Sequence, residues 1–285
     1  MKAIKTILLI IFTTLMTHLA PAQDFKVPDV DGRGKTVILT FDDASQSHYS
    51  VIPQMLKPYH FGATFYVCEF PPDFADTTKY MNWRQIKALS KMGYEIGNHT
   101  RFHSNVAELK PQELEAELSY MENKCQELGI PKPSNFAYPA YFTDSAAVPV
   151  LKHHGYLTAR IGGDKAWQPG EDDPYYIPSF GISGNVPHVF YGALEQARKD
   201  NVILFCIHGV PDNAHDWVNT EPALFRSYLR YLNDHHFKVV SMQTYLKSAG
   251  KRMKHPLKNQ PKNSGNSFDV IYPLKIRQAH QTRRQ

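Results

Sequence analysis

Three features of the sequence predict an α/β fold with a parallel sheet. Short strand-like runs alternate with helix-like runs about seven times. The strand-like runs are rich in β-branched and aromatic residues, as buried strands are. Ionisable residues stand directly after several of them, where parallel strands deliver side chains to a ligand site. Seven or so repeats point to a closed or nearly closed barrel; an open doubly wound sheet shares the same pattern.

Taken in order, residues 35–43 are a strand ending in two carboxylates, Asp42 and Asp43, and residues 49–57 a short helix carrying Pro53. Residues 62–68 form the second strand. Asn82 is placed to cap a helix over 83–92, with Gly93 as its stop. Residues 94–97 are a brief strand delivering Asn98 and His99. Pro111 opens the clearest helix, in which Leu114, Leu118, Met121, Cys125 and Leu128 fall on one face before Gly129 and Pro131 end it. Residues 135–138 are a strand closed by Pro139, 145–154 a helix stopped by Gly155, and 156–161 a strand. Residues 162–180 read as a long aromatic and proline-rich loop. A helix over 190–199, an apolar strand over 202–207 ending at His208, a helix over 220–235, a strand over 237–240 and a helix over 242–249 complete the body.

The ends of the chain read differently. Lys2 and Lys5 precede an apolar run, and Ala20-Pro21-Ala22 is a cleavage pattern, so residues 1–22 are expected to be a secretory signal peptide. That makes the expected location secreted or periplasmic. No later run is apolar enough for a membrane span. Net charge is +5: the first 22 residues carry +2 and residues 251–285 carry +8, which leaves −5 for the body. A basic C-terminal tail, partly disordered, on an acidic body lacks the basic stripe of a nucleic-acid binder. The expected organisation is therefore 1–22 signal peptide, 23–250 catalytic domain and 251–285 tail, with 268–276 a possible edge strand. The three cysteines, Cys68, Cys125 and Cys206, have no zinc-finger spacing and read as buried free thiols.

The adjacent acids repel each other, and a cation relieves that repulsion. His99 and His103 supply the complement: four apart, on one helical turn, both rings face the same way. Two histidines and a carboxylate make a common three-ligand set for zinc, and non-haem iron uses the same donors. His208 shares this edge of the sheet.

Thr40-Phe41-Asp42-Asp43, then His99-Thr100-Arg101-Phe102-His103, then the 203–208 strand ending in His208, resemble in order and spacing the metal-dependent polysaccharide deacetylases of the NodB-homology type, carbohydrate esterase family 4. Residues 62–67 also resemble the strand following the first motif. The resemblance covers roughly residues 35–249. It implies a distorted (β/α) barrel of about seven parallel strands and a divalent metal, usually zinc (Zn2+), held by Asp43, His99 and His103. It further implies Asp42 as general base, His208 as general acid and the Ala140 backbone N–H as an oxyanion donor. The implied partner is an acetylated polysaccharide or oligosaccharide: peptidoglycan, chitin-like or poly-N-acetylglucosamine chains, with O-acetylated xylan as the alternative.

Two motifs depart from the family. Where it carries Arg-x-Pro-Tyr, this chain has Ala137-Tyr138-Pro139-Ala140, so the arginine that orients the catalytic aspartate is absent. Arg160, at the end of the next strand, is the expected replacement. The fourth motif survives as Asp164 to Trp167, making Asp164 the expected partner of His208. Tyr141 and Trp167, with Trp83, Trp217 and Tyr175, are candidate sugar-stacking residues. The broken motifs leave a non-catalytic glycan-binding protein as a contrasting reading, and the resemblance also implies a small-molecule amidohydrolase as a third, since relatives of the fold use small amides.

Overall fold

The computed structural model describes residues 27–70 and 72–249. The expected signal peptide, the basic tail and the possible strand over 268–276 lie outside the described residues.

Among the described residues, eight strands paired in parallel ladders make one curled sheet. In chain order they are β1 (Thr36–Phe41), β2 (Thr64–Val67), β3 (Glu95–Asn98), β4 (Asn135–Ala137), β5 (Thr158–Arg160), β6 (Phe180–Gly181), β7 (Val202–Ile207) and β8 (Lys238–Val240). Their spatial order is β5-β4-β3-β2-β1-β7-β6, with β8 pairing the first half of β1. Between and after them run α1 (Ser47–Ser50), α2 (Ile52–Leu56), α3 (Trp83–Lys91), α4 (Pro111–Leu128), α5 (Ala147–His153), α6 (Pro187–Glu195), α7 (Pro222–Asp234) and α8 (Met242–Ala249).

The expected long loop over 162–180 is partly strand-like. It pairs with β5 through Ile177 N–H to the Ala159 carbonyl (2.9 Å), and its end is β6, paired with β7. Residues 174–181 thus carry hydrogen bonding from one sheet edge to the other, which is how a sheet without a full complement of strands becomes a distorted barrel. The expected helix over 49–57 is split into α1 and α2, with Pro53 in the first turn of the second, where its missing N–H costs nothing.

Period-two alternation sorts each strand into two faces. Val37, Leu39 and Phe41 join the large core under the helices, with Phe205, Phe190 and Leu229. Ile38 instead joins Leu204, Val202, Ile177, Trp167 and Met242, the apolar plug at the amino end of the barrel. Asp42 continues the Ile38–Thr40 face, so the same alternation that plugs one end aims a carboxylate into the other. On the helices, α4 buries Leu114, Leu118, Met121 and Cys125 as its spacing predicts and ends on left-handed Gly129. Asn82 and Gln85 close a reciprocal capping box at the start of α3.

Candidate active site

Asp42 and Asp43 follow β1. Two successive residues of an extended strand would point to opposite faces. Here Asp43 (φ 73°) and Ala44 (φ 54°) both adopt left-handed backbone, which turns the chain sharply and keeps both carboxylates on one side. The Asp42 N–H still donates to the Ile207 carbonyl (2.9 Å), so β1 and β7 stay in register to the edge and bring His208 alongside.

His99 and His103 do reach Asp43, but not on a helical turn. The chain after β3 is irregular, with Thr100 at φ 59° and His103 at φ 53°. Loop geometry does the work expected of helical spacing. The His99 and His103 Nε2 atoms lie 3.4 and 3.3 Å from Asp43 Oδ1, and their donor atoms converge closely enough to hold one metal ion. His99 Nδ1 lies 2.7 Å from the Ala137 carbonyl and so carries its proton there. In neutral His99 this leaves an Nε2 lone pair facing a carboxylate oxygen, acceptor against acceptor. Asp43 Oδ1 is itself buried without a hydrogen-bond donor. A shared divalent cation satisfies all three groups, so the residues fit the implied metal.

Asp42 is buried and faces Arg160, whose Nη2 contacts its Oδ2. Burial alone raises a carboxyl pKa, but Arg160, His99 and His208 outweigh it and hold Asp42 below the usual range. Asp43 is likewise penalised by burial and held well below its usual value by His103, His99 and His208. Burial opposes protonation of His99, yet the carboxylates of Asp42 and Asp43 raise its pKa above the ordinary value. Arg160 is itself fully buried and donates through Nη1 to Ser179 Oγ (3.1 Å), which donates on to the Ile161 carbonyl (2.6 Å). Thus an arginine stands beside the first aspartate although the third motif lacks one; it comes from β5 instead.

Tyr141 lies in this neighbourhood. Its ring packs on Gly162, where any Cβ would come within 2.6 Å of it, and the Arg160 guanidinium sits 5.3 Å from its centroid. Ala140, at φ 47°, is in the tight turn that follows β4.

Two expectations fail. Asp164 is exposed, on a left-handed residue of the loop after β5. The partner of His208 Nδ1 is Ser183 Oγ (2.8 Å), which also accepts from the His208 backbone N–H (3.1 Å). Trp167 is buried and bridges Val202, the first residue of β7, so it fills the amino end of the barrel and offers no face to a sugar. The loop that carries it doubles back beneath the sheet.

The sequence reading missed four contributors. Ser183 lies in a loop with no motif. Cys206 occupies the inward face of β7 two residues before His208, and its thiol lies 3.3 Å from Asp42 Oδ2. His48, buried in α1, has Nε2 3.2 Å from the His208 carbonyl. Phe70 stacks on His103 with centroids 4.7 Å apart. Period-two alternation would have found Cys206; the others come from loops and a short helix.

With this geometry in place, residues 29–159 match the family described as polysaccharide deacetylase. That match spans just under half of the chain. The chain is similar to a peptidoglycan-N-acetylglucosamine deacetylase of Bacillus cereus, 26% identical over 197 residues, covering 69% of this chain and 81% of the relative. Among solved structures it resembles the carbohydrate esterase family 4 domain of a multidomain xylanase from the hindgut metagenome of Trinervitermes trinervoides, with TM-score 0.53 at 16% identity, covering 76% of this chain and 91% of that one. It also resembles a family 4 pseudoenzyme from Bacillus anthracis, with TM-score 0.52 at 17% identity, covering 75% of this chain and 66% of that one. At such identities the structural likeness establishes the distorted barrel. The matched domain and the curated relative together give carbohydrate deacetylation as the class of chemistry.

Proposed function

We propose that the protein is a metal-dependent deacetylase, acting outside the cytoplasm on N-acetyl groups of N-acetylglucosamine polymers such as peptidoglycan. The observation that carries this reading is the meeting of Asp42, Asp43, His99, His103 and His208 at one edge, with Arg160 against Asp42. A pure binding module has no use for a buried carboxylate held beside a second one. The relative from Bacillus cereus supports the substrate class, and the run over residues 1–22 supports export, with 23–250 as the catalytic domain.

Asp43, His99 and His103 would hold a divalent cation, zinc by the donor set, which would supply Lewis acidity and make water a stronger acid near neutral pH. Asp42 then acts through one oxygen. Its Oδ2 is engaged by Arg160 and Cys206, whereas Oδ1 is buried with no donor, poised to take the proton of the attacking water. Arg160 keeps that carboxylate ionised and fixes its orientation. His208 presents Nε2 on the opposite side, 3.6 Å from Asp43 Oδ2, while Ser183 holds Nδ1. Protonation of the leaving amine falls to that Nε2. The Ala140 N–H is the proposed donor to the oxyanion of the tetrahedral intermediate.

The test is acetate release from acetylated glycans: peptidoglycan, N-acetylglucosamine oligomers and acetylated xylan. Release that stops with chelator and returns with zinc is the expected result. Tight glycan binding by zinc-loaded protein without acetate release would instead mark a binding protein on a catalytic fold.

A further inference from the structure

Among the described residues, the large apolar side chains left exposed are Val27, Met92, Phe102, Phe142, Leu157 and Trp217. The three aromatics in this set share one property. Phe102 follows β3, Phe142 follows β4 and Trp217 follows β7, so all three stand on loops at the edge that holds Asp42 and His208. Single exposed apolar residues are ordinary, but aromatics gathered on the reactive edge mark a recognition surface.

Trp217 is the one most heavily supported. Its loop is organised by Asp212, whose side chain is fully buried. That carboxylate accepts from the backbone N–H groups of Gly209 (2.8 Å), Ala214 (2.9 Å) and His215 (2.8 Å). Asn219 Oδ1 accepts from the Asp212 N–H, and Ser47 Oγ accepts from the Val210 N–H, both at 2.8 Å. Gly209 lets this loop fold tightly, since a Cβ there would lie 2.5 Å from Asp212 Cα. Burying a carboxylate under three N–H groups is a costly way to shape a loop unless its geometry matters. What the loop presents is an indole. The Trp217 ring lies 5.2 Å from that of His215, which lies 5.3 Å from Phe70, which stacks on His103. His215 is fixed in turn by Tyr80, whose hydroxyl is 2.9 Å from Nε2. A continuous series of rings therefore runs from a proposed metal ligand out to an exposed, positioned tryptophan.

We propose that Trp217 is the floor of a subsite for a pyranose ring neighbouring the reacting sugar, and that Phe102 and Phe142 widen this edge into a face for a β-linked pyranose chain. The placement of the reacting sugar rests on the deacetylase reading. A β-linked pyranose offers an apolar C–H face with its hydroxyls at the rim, which matches an indole that is open on one side and backed by packed rings. Because the loop is already ordered, binding loses little to ordering entropy. The surface suits a polymer and has no role for a small amide.

The experiment measures kcat/KM and KM on β-1,4-linked N-acetylglucosamine dimer and hexamer for wild type, Trp217→Ala and Trp217→Phe. The expected result is a gain from dimer to hexamer in the wild type that falls about tenfold in Trp217→Ala, carried by KM, and is largely kept in Trp217→Phe. Equal losses on dimer and hexamer would make Trp217 a structural prop and overturn the subsite, as would an unchanged gain or a wild type indifferent to length. If zinc-loaded wild type releases no acetate at all, the deacetylase reading fails. Hexamer binding by calorimetry then decides the subsite separately: it stands if Trp217→Ala abolishes binding and falls if wild type does not bind.

Discussion

At its amino end the barrel buries a carboxylate with a donor on each oxygen. Glu95 accepts from Thr64 Oγ1 and the Gln243 N–H, both at 2.8 Å, and from Asn135 Nδ2. At the carboxyl end, Asp42 and Asp43 each keep one buried oxygen without a donor. Backbone conformation divides the same way. Asp43, Ala44, Thr100, His103, Ala140, Tyr141 and Asp164 all take left-handed φ in loops after strands, whereas His60 and His236 do so just past helix ends, where such residues commonly stop a helix. One end of the sheet is built to be finished by its own side chains, the other to be completed by a ligand. Strain and unmet acceptors collect where the protein has to accommodate something it does not itself contain.

Removing Arg160 should break this contrast most severely. Arg160→Met leaves Asp42 as an uncompensated charge inside the barrel, at an expected cost of about 3–5 kcal/mol in stability. Turnover should fall about 100-fold as the carboxylate loses its orientation. Arg160→Lys should recover part of the stability and little of the rate, because a point charge cannot engage Asp42 and Ser179 together. Denaturant unfolding and acetate release read both. If Arg160→Met keeps wild-type turnover, Asp42 is held by something else.

Trp167→Ala sharpens the comparison from the other side. It empties the plug shared with Ile38, Leu204 and Met242, at an expected cost of about 3–4 kcal/mol, while kcat/KM of the folded enzyme stays near wild type. A selective rise in KM for long glycans would return Trp167 to the substrate path.

How much of this was legible in the sequence follows the same division. Regular elements announced themselves: the face of α4, the apolar 202–207 strand, and the strand-end positions of Asp42, Asp43, His208 and Arg160 all follow from period and position. Arg160 was recoverable without its motif because a strand end in a barrel fixes which edge a residue faces. The loops were not legible. The His99–His103 pair suggested a helical turn, because spacing alone carries no φ. Ser183 replaced Asp164 as the partner of His208, and Trp167 went under the barrel, because residues 162–183 make long-range pairings with β5 and β7 that no local pattern encodes.

A smaller effect is expected from pH. His48 is buried against Phe41 and Phe65, and burial depresses its pKa from 6.5 to about 4, so it is neutral in the fold. Below pH 6.5 the unfolded chain takes up a proton that the folded chain refuses, so stability falls as pH drops towards 4, by up to about 3 kcal/mol. In His48→Gln that part of the acid slope should vanish. Unfolding free energies measured from pH 7 to pH 4 test it, and parallel wild-type and variant slopes would show that His48 is protonated in the fold.

Glu95→Gln is the mildest change and the cleanest probe of the satisfied end. Glu95 uses both oxygens as acceptors, and an amide replaces one of them with a donor facing donors. The expected cost at pH 7 is about 1–2 kcal/mol, with kcat/KM unchanged because the site lies at the opposite edge. Burial raises the Glu95 pKa even though these donors oppose it. As pH falls through that raised value the wild-type carboxyl takes up a proton and itself acquires a donor, so the gap between wild type and variant should narrow on acidification. A gap that is constant with pH would mean that Glu95 is already protonated at neutrality, and that the amino end tolerates no more buried charge than an apolar core does.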